Sequence, residues 1–236
     1  MGCTSNNTGL TTLQRNVDLI TMAKNNKEHF DHVVSLLTAS DSSIRLKTAM
    51  ACGTEPHPGY LEPLVERCGT EPDFFVREML TWAIVRLPRE ITVSRVIKEL
   101  DSAHAQARSQ ALHTLSKIHV PEAWDTVFPR LVADSDNEVA QAAWRVAVDI
   151  VPQDEVKQLA QALIEQLGRG EIDVKKSLAR AFVVLETRSP DASAWIEAAI
   201  PSLDREQKAQ AMATLTLIED PQASFEGVLS SALQKL

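Results

Sequence analysis

The chain has 236 residues, of which 44% are hydrophobic and 24% carry a charge; this composition is typical of a folded protein and excludes a disordered one. The formal net charge of −8 disfavours nucleic acid as a partner, and no apolar run approaches the ~18 residues that a membrane-spanning helix needs. The first residues lack the basic and apolar regions of a secretory signal, so we expect a cytoplasmic protein with reduced cysteines and no membrane partner.

Proline marks an internal repeat along the chain. Six prolines recur at intervals of 30 to 38 residues, and each lies just before or within the first turn of a segment with helical apolar spacing. Proline is tolerated there because the first N–H groups of a helix have no partner within the helix. The six are Pro58, Pro88, Pro121, Pro152, Pro190 and Pro221.

A second marker, out of phase with proline, identifies the second helix of each repeat. Six segments superpose on one position, which we call the marker position; it is occupied by Arg45, Arg77, Arg108, Ala140, Lys175 and, in a weaker copy, Ala209. In the clearest copies an acidic residue lies four places earlier, where it can cap or charge the helix N-terminus. These acidic residues are Asp41, Asp73, Asp136 and Glu171.

Apolar residues around the marker position have helical spacing. They recur at offsets of three, four and seven, and strand-like alternation is absent, so the sequence predicts helices with one buried stripe each. The predicted stripe of the second copy is Val76, Leu80, Ala83, Ile84 and Leu87, and that of the third is Ala107, Ala111, Leu115 and Ile118.

The pattern of an acidic residue, then Val-Arg, then spaced Ala and Leu resembles the HEAT repeat. The best copies are "EPDFFVREMLTWAIVRLP" and "DSDNEVAQAAWRVAVDIVP". The sequence of these segments resembles PBS lyase HEAT-like repeats and HEAT-repeat domain proteins of actinobacteria. The resemblance implies an all-α, right-handed α–α superhelix, a HEAT-like solenoid of about six helix pairs. We expect one solenoid domain with a tail and cap helix at 1–26, repeats at 27–218 and a cap helix at 219–236.

The pentapeptide CGTEP occurs twice, starting at Cys52 and at Cys68. A zinc site at Cys52, His57 and Cys68 would need a fourth ligand and closer spacing. We therefore interpret both copies as helix ends, with Gly53 and Gly69 as left-handed stops and Thr-Glu-Pro restarting the next helix. The sequence predicts no metal and no cofactor.

The resemblance also implies where a partner would bind, because the second helix of each HEAT pair lines the concave face. Residues one, four and five places after the marker would face this groove. Trp and Arg occur among them, and these two residue types are enriched in interaction hot spots. The predicted groove residues are Glu78, Trp82, His113, Gln141, Trp144, Arg145, Lys176 and Arg180.

Two alternatives apply to these residues. Arg45, Arg77 and Arg108 can pair with an Asp of the preceding repeat as a structural ladder, which would leave Arg145, Lys176 and Arg180, together with Lys47, as free charge. Trp82 and Trp144 can fill gaps between repeats instead of contacting a ligand.

No nucleophile elbow, phosphate loop or metalloprotease motif occurs, so the sequence predicts a protein that is not an enzyme. We expect an interaction or scaffold module that binds a protein or peptide segment, acidic with an apolar anchor. One alternative is a HEAT-like DNA glycosylase that uses Trp82, Trp144, Arg145, Arg180 and Asp149. Another is a bilin-lyase-like repeat protein.

Overall fold

A computed structural model describes residues 27–236 of the chain. Every regular element in this range is a helix, as the apolar spacing predicted. The helices are α1 (27–37), α2 (Ser42–Thr54), α3 (Leu61–Cys68), α4 (Phe74–Ile84), α5 (Arg89–Glu99), α6 (Ala105–Ile118), α7 (Trp124–Val127), α8 (Asn137–Ile150), α9 (Val156–Ile164), α10 (Ile172–Arg188), α11 (Ala192–Ala199), α12 (Arg205–Glu219) and α13 (Phe225–Lys235).

The chain divides after Leu87 into two compact units, so that the described residues 27–87 form one unit and 88–236 the other. In the first unit α2 packs on α4; in the second, α6 packs on α8, α8 on α10 and α10 on α12. The second helices of successive pairs therefore stack on one another within each unit, which is the packing of an α–α superhelix. The expected cap helix within 1–26 lies outside the described residues, and α13 packs on α12 at the other end.

Acidic side chains begin the second helices as the sequence predicted. Asp41 accepts a hydrogen bond from the Ser43 amide, and Asp73 and Asp136 each accept two amides of the first turn. These bonds satisfy N–H groups that have no partner within the helix. Glu171 also precedes its helix, but its side chain makes no capping hydrogen bond.

The predicted stripes form the core. The five stripe residues of the second copy are all at least 96% buried, and full burial of one such aliphatic side chain contributes about 1.5–3 kcal/mol. In the third copy Ile118 is only half-buried because it is the last residue of α6, where no later turn covers it. No helix within residues 27–236 is both long enough and apolar enough to cross a bilayer.

The prediction that both CGTEP glycines are left-handed stops is wrong. Gly53 lies inside α2, and a Cβ atom there would stand 2.1 Å from Cζ3 of Trp82. Gly69 follows the end of α3 with φ −68° and ψ −14°, which any residue can adopt. The glycines of 27–236 with positive φ are Gly168 and Gly170 instead. The first glycine thus makes room for a tryptophan ring.

The two CGTEP cysteines are buried thiols. Burial raises the pKa of the Cys52 thiol to about 11 and that of the Cys68 thiol to about 12, so both stay protonated at neutral pH and are poor nucleophiles and metal ligands. Within residues 27–236, no three His, Cys, Asp or Glu side chains converge as metal ligands.

Candidate binding groove

The second unit contains a groove between α8 and α10 with a volume of about 680 Å³. Short loops join α8 to α9 and α9 to α10, so α8 and α10 run in the same direction. We call this cavity the α8–α10 groove. Its lining residues are Ser116, Gln141, Arg145, Val148, Asp149, Asp173, Lys176, Ser177, Arg180, Ala181 and Val184.

Two arginines occupy equivalent places in the groove. Arg145 and Arg180 lie five residues after the marker positions of α8 and α10, and both are exposed to the groove. Among residues 27–236, neither guanidinium has a hydrogen-bond or ion-pair partner. The groove walls partly desolvate Arg145 and thereby lower its pKa. The groove therefore holds two cations that the described chain does not neutralise.

Lys176 also lines the groove, but it is not the free charge that the sequence predicted. Its Nζ lies 2.8 Å from Oε1 of Glu226, the second residue of α13. The hydrogen bond from Lys176 lowers the pKa of the Glu226 carboxyl. This pairing requires α13 to pack beside α10, which the repeat pattern did not indicate.

Two carboxylates stand among the lining residues. Asp149 accepts a hydrogen bond from Nδ1 of His119 at 2.6 Å, whereas Asp173 in the first turn of α10 has no hydrogen-bond or ion-pair partner within residues 27–236. Asp149 is the acid that the glycosylase alternative named, and it lines the groove. Asp149 follows Arg145 by four residues, about one helical turn, so both side chains lie on the same face of α8.

An apolar surface adjoins the two arginines. Val148 and Ala181 are buried beneath the groove floor, and Val184, one turn after Arg180, leaves 45% of its surface exposed. An exposed valine beside an arginine can hold an apolar side chain of a ligand.

Trp144 is not a groove residue. It is completely buried, and its Nε1 donates to the Val132 carbonyl at 2.9 Å. The reason is visible in the register: Ala140 at the marker position is itself buried, and a residue four places later shares its face. Of the two interpretations of this tryptophan, the structure supports packing.

The other predicted residues lie outside the groove. Glu78 and Trp82 belong to α4 in the first unit, and His113 on α6 is half-buried and does not line the groove. Trp82 lies against Gly53 and leaves 36% of its surface exposed. The Arg86 guanidinium stands 4.9 Å from the Trp82 ring centroid, and its Nε donates to the Gly53 carbonyl. Gln141, Arg145, Lys176 and Arg180 are the predicted residues that the groove brings together.

The marker arginines form a ladder of backbone contacts. Each donates to the carbonyls five and six residues earlier, in the turn before its own helix. The ladder arginines are Arg45, Arg77 and Arg108. Each therefore ties the start of a second helix to the preceding loop, where carbonyls would otherwise lack partners.

Two ladder arginines also bind an acid, and it lies in the following repeat instead of the preceding one. Arg45 pairs with Glu71 at 2.7 Å, and Arg108 pairs with Asp134 at 3.0 Å. Glu71 is fully buried. Burial alone would raise its pKa, but hydrogen bonds from Arg45, the Asp73 amide and Arg67 outweigh burial and lower the pKa to about 2.

Comparison with known proteins reveals the fold class and no family. No family model matches the chain, and no curated protein matches it. Among solved structures, a mutant of Kap121p matches with a TM-score of 0.57 at 18% identity, over 92% of this chain and 26% of that one. The fold is a HEAT-like helical solenoid. This solenoid thus spans about a quarter of the Kap121p chain.

Two further solved structures match at lower similarity. The complex of CpcE and CpcF of phycocyanin lyase from Nostoc matches with a TM-score of 0.45 at 17% identity, over 87% of each chain. A crystal structure of an engineered protein matches with a TM-score of 0.42 at 21% identity, over 81% of this chain and 96% of that one.

Proposed function

We propose that this chain is a non-enzymatic interaction module, a cytoplasmic bacterial HEAT-repeat protein, that binds an acidic segment of another protein in the α8–α10 groove. Two guanidinium groups carry this proposal. Those of Arg145 and Arg180 line the groove, and neither has a partner among residues 27–236. A partner's carboxylates or other anions would supply the missing charge.

The contrast with the ladder supports a binding role for these two residues. Arg108 donates to two carbonyls and pairs with Asp134 within the fold. Arg145 and Arg180 do none of this, and the partial desolvation of the Arg145 guanidinium costs free energy unless an anion compensates it. Arginine is also among the residues most enriched at binding hot spots.

The apolar part of the groove supports the second half of the proposal. Val184 is exposed beside Arg180 over floor residues Val148 and Ala181. An apolar side chain of the partner would cover Val184 while an acidic neighbour reaches the guanidinium groups.

The glycosylase alternative loses its main support. It required Trp144 at a DNA-facing surface, and Trp144 is completely buried, while Trp82 belongs to the other unit. The bilin-lyase alternative depends on repeat architecture alone and gains no site residue.

Binding of short synthetic peptides to the full chain tests the proposal. One peptide pool contains Asp and Glu beside Leu at random positions, and a second pool replaces the acids by Asn and Gln. We expect the acidic pool to bind, and its affinity should fall as salt rises. Arg145→Glu and Arg180→Glu should each lower its affinity by roughly tenfold or more, since ~1.4 kcal/mol corresponds to a factor of ten.

Lys98→Glu is the matched control, because Lys98 is an exposed cation of α5 outside the groove. It makes the same charge change and should leave binding unaltered. Equal binding of both pools, or wild-type affinity in both groove reversals, would overturn the proposed function.

A further inference from the structure

We infer that the anion for which the groove is built is one phosphate monoester, on a phosphorylated serine or threonine of the partner segment, and not a run of acidic residues. This inference depends on the proposed function, because it names the anionic group of the segment bound in the α8–α10 groove.

The charge left uncompensated in the groove favours a dianion. Arg145 and Arg180 sit at equivalent positions of two stacked helices, and each is a cation without a partner in the described residues. Axes of packed helices lie roughly 8–10 Å apart, so two long side chains can reach one group between them. A phosphate monoester carries about −1.5 to −2 charge at neutral pH and three acceptor oxygens, enough for two guanidinium forks. A single carboxylate has one charge and accommodates one fork.

The carboxylates of the groove disfavour a ligand whose negative charge is spread over several residues. Asp149 lies one turn after Arg145 on α8, and Asp173 lies two turns before Arg180 on α10. Because α8 and α10 run in the same direction, these two carboxylates flank the arginines at opposite ends of the groove. A run of acids along the groove would place like charges against Asp149 or Asp173. A single dianionic group at the centre avoids both.

Neutral donors stand beside the arginines. Ser177 precedes Arg180 by three residues and Gln141 precedes Arg145 by four, and both line the groove. A hydroxyl and an amide can each donate to a phosphate oxygen without adding charge. The groove volume of about 680 Å³ is in the range that holds ligands of drug size, far beyond one phosphate ion. The exposed Val184 surface also favours a phosphate carried by a protein segment over free phosphate.

Four peptide pools with identical random flanks test this inference on the full chain by fluorescence polarisation. Their central residues are Ser, Asp, phosphoserine and three consecutive Asp. We expect the phosphoserine pool to bind roughly tenfold tighter than either Asp pool, because a phosphate carries about −1.5 to −2 charge and three acceptor oxygens, whereas an Asp carboxylate carries one charge and two oxygens. The three-Asp pool should bind no tighter than the single Asp.

Variants locate the effect. Arg145→Gln and Arg180→Gln should each abolish the preference for phosphoserine, and the control Lys98→Gln should keep it. Asp149→Asn and Asp173→Asn should improve binding of the three-Asp pool more than of the phosphoserine pool. Unlabelled inorganic phosphate should displace the phosphoserine pool only at much higher concentration than unlabelled phosphopeptide does.

The outcomes separate this inference from the proposed function. If the three-Asp pool bound as tightly as the phosphoserine pool, and the arginine variants still lost binding, the inference would be overturned and the proposed function would stand. Displacement by inorganic phosphate and by phosphopeptide at the same concentration would overturn the protein-segment source. If both arginine variants bound every pool with the affinity of the wild type, both proposals would be overturned.

Discussion

Arg108 and Arg145 lie on neighbouring second helices of the same unit, yet their surroundings are opposite. Arg108 reaches back to the carbonyls of Ser102 and Ala103 and pairs with Asp134. Arg145 faces a groove and has no partner in the part of the chain that is described. The five-residue difference in offset from the marker position decides this, because it turns a side chain from the loop before the helix to the open face. One residue type therefore holds repeats together at one offset and stays available at another.

The largest expected effect concerns the buried acid of the ladder. Glu71→Ala removes the common partner of Arg45 and Arg67, whose hydrogen bonds to it are 2.7–2.8 Å long. Leaving Arg45 buried without its anion should cost about 3–5 kcal/mol of unfolding free energy. Urea unfolding followed by circular dichroism measures this. Glu66→Ala changes an exposed acid of α3, the helix before Glu71, and should alter stability by less than about 0.5 kcal/mol; a similar loss in both variants would contradict the ladder.

The same carboxylate predicts an acid-sensitive step in stability. The pKa of Glu71 is lowered in the fold from an ordinary value of 4.5 to about 2. The stability contributed by its ionised form is therefore fully present above the ordinary value and is lost as pH falls through the folded value. Unfolding curves between pH 5 and pH 2 should show a steeper loss for the wild type than for Glu71→Gln. Parallel pH profiles would show that Glu71 is not held as an anion.

Trp82 tests whether a predicted groove residue behaves as a structural one. Its ring covers Gly53, where a Cβ atom would meet it at 2.1 Å. Gly53→Ala should therefore destabilise the first unit by about 1–3 kcal/mol through overpacking, although alanine is the better helix former. In the Trp82→Ala background the same change should become neutral or stabilising. A Gly53→Ala variant as stable as the wild type would show that the ring moves away freely. Trp82→Ala should leave peptide binding in the α8–α10 groove unchanged.

The sequence predicted the features that depend on local spacing. Apolar periodicity fixed the helices and stripes, and acids four places before the marker fixed the caps at Asp41, Asp73 and Asp136. Extrapolating the register also placed Gln141, Arg145, Lys176 and Arg180 on one face, and the groove brings them together.

The features that the sequence did not predict depend on contacts between distant segments. Glu226 reaches Lys176 across 50 residues because α13 packs beside the last pairs. Glu71 and Asp134 follow their arginines by 26 residues, a regular spacing that could have identified the ladder partners. Trp144 is buried because it lies one turn after the buried Ala140 and shares its face. The small residue at the marker position was visible in the sequence, but we gave more weight to the usual role of tryptophan in binding.

A pair of urea unfolding curves tests the division between the ladder and the groove most directly. Arg108→Gln and Arg145→Gln make the same change on neighbouring helices of one unit. Arg108→Gln should lower the free energy of unfolding by about 2 kcal/mol, because Asp134 and two carbonyls lose a charged donor. Arg145→Gln should alter it by less than about 0.5 kcal/mol. A loss of unfolding free energy in Arg145→Gln as large as that in Arg108→Gln would contradict the account, because Arg145 would then stabilise the fold instead of being available to bind a ligand.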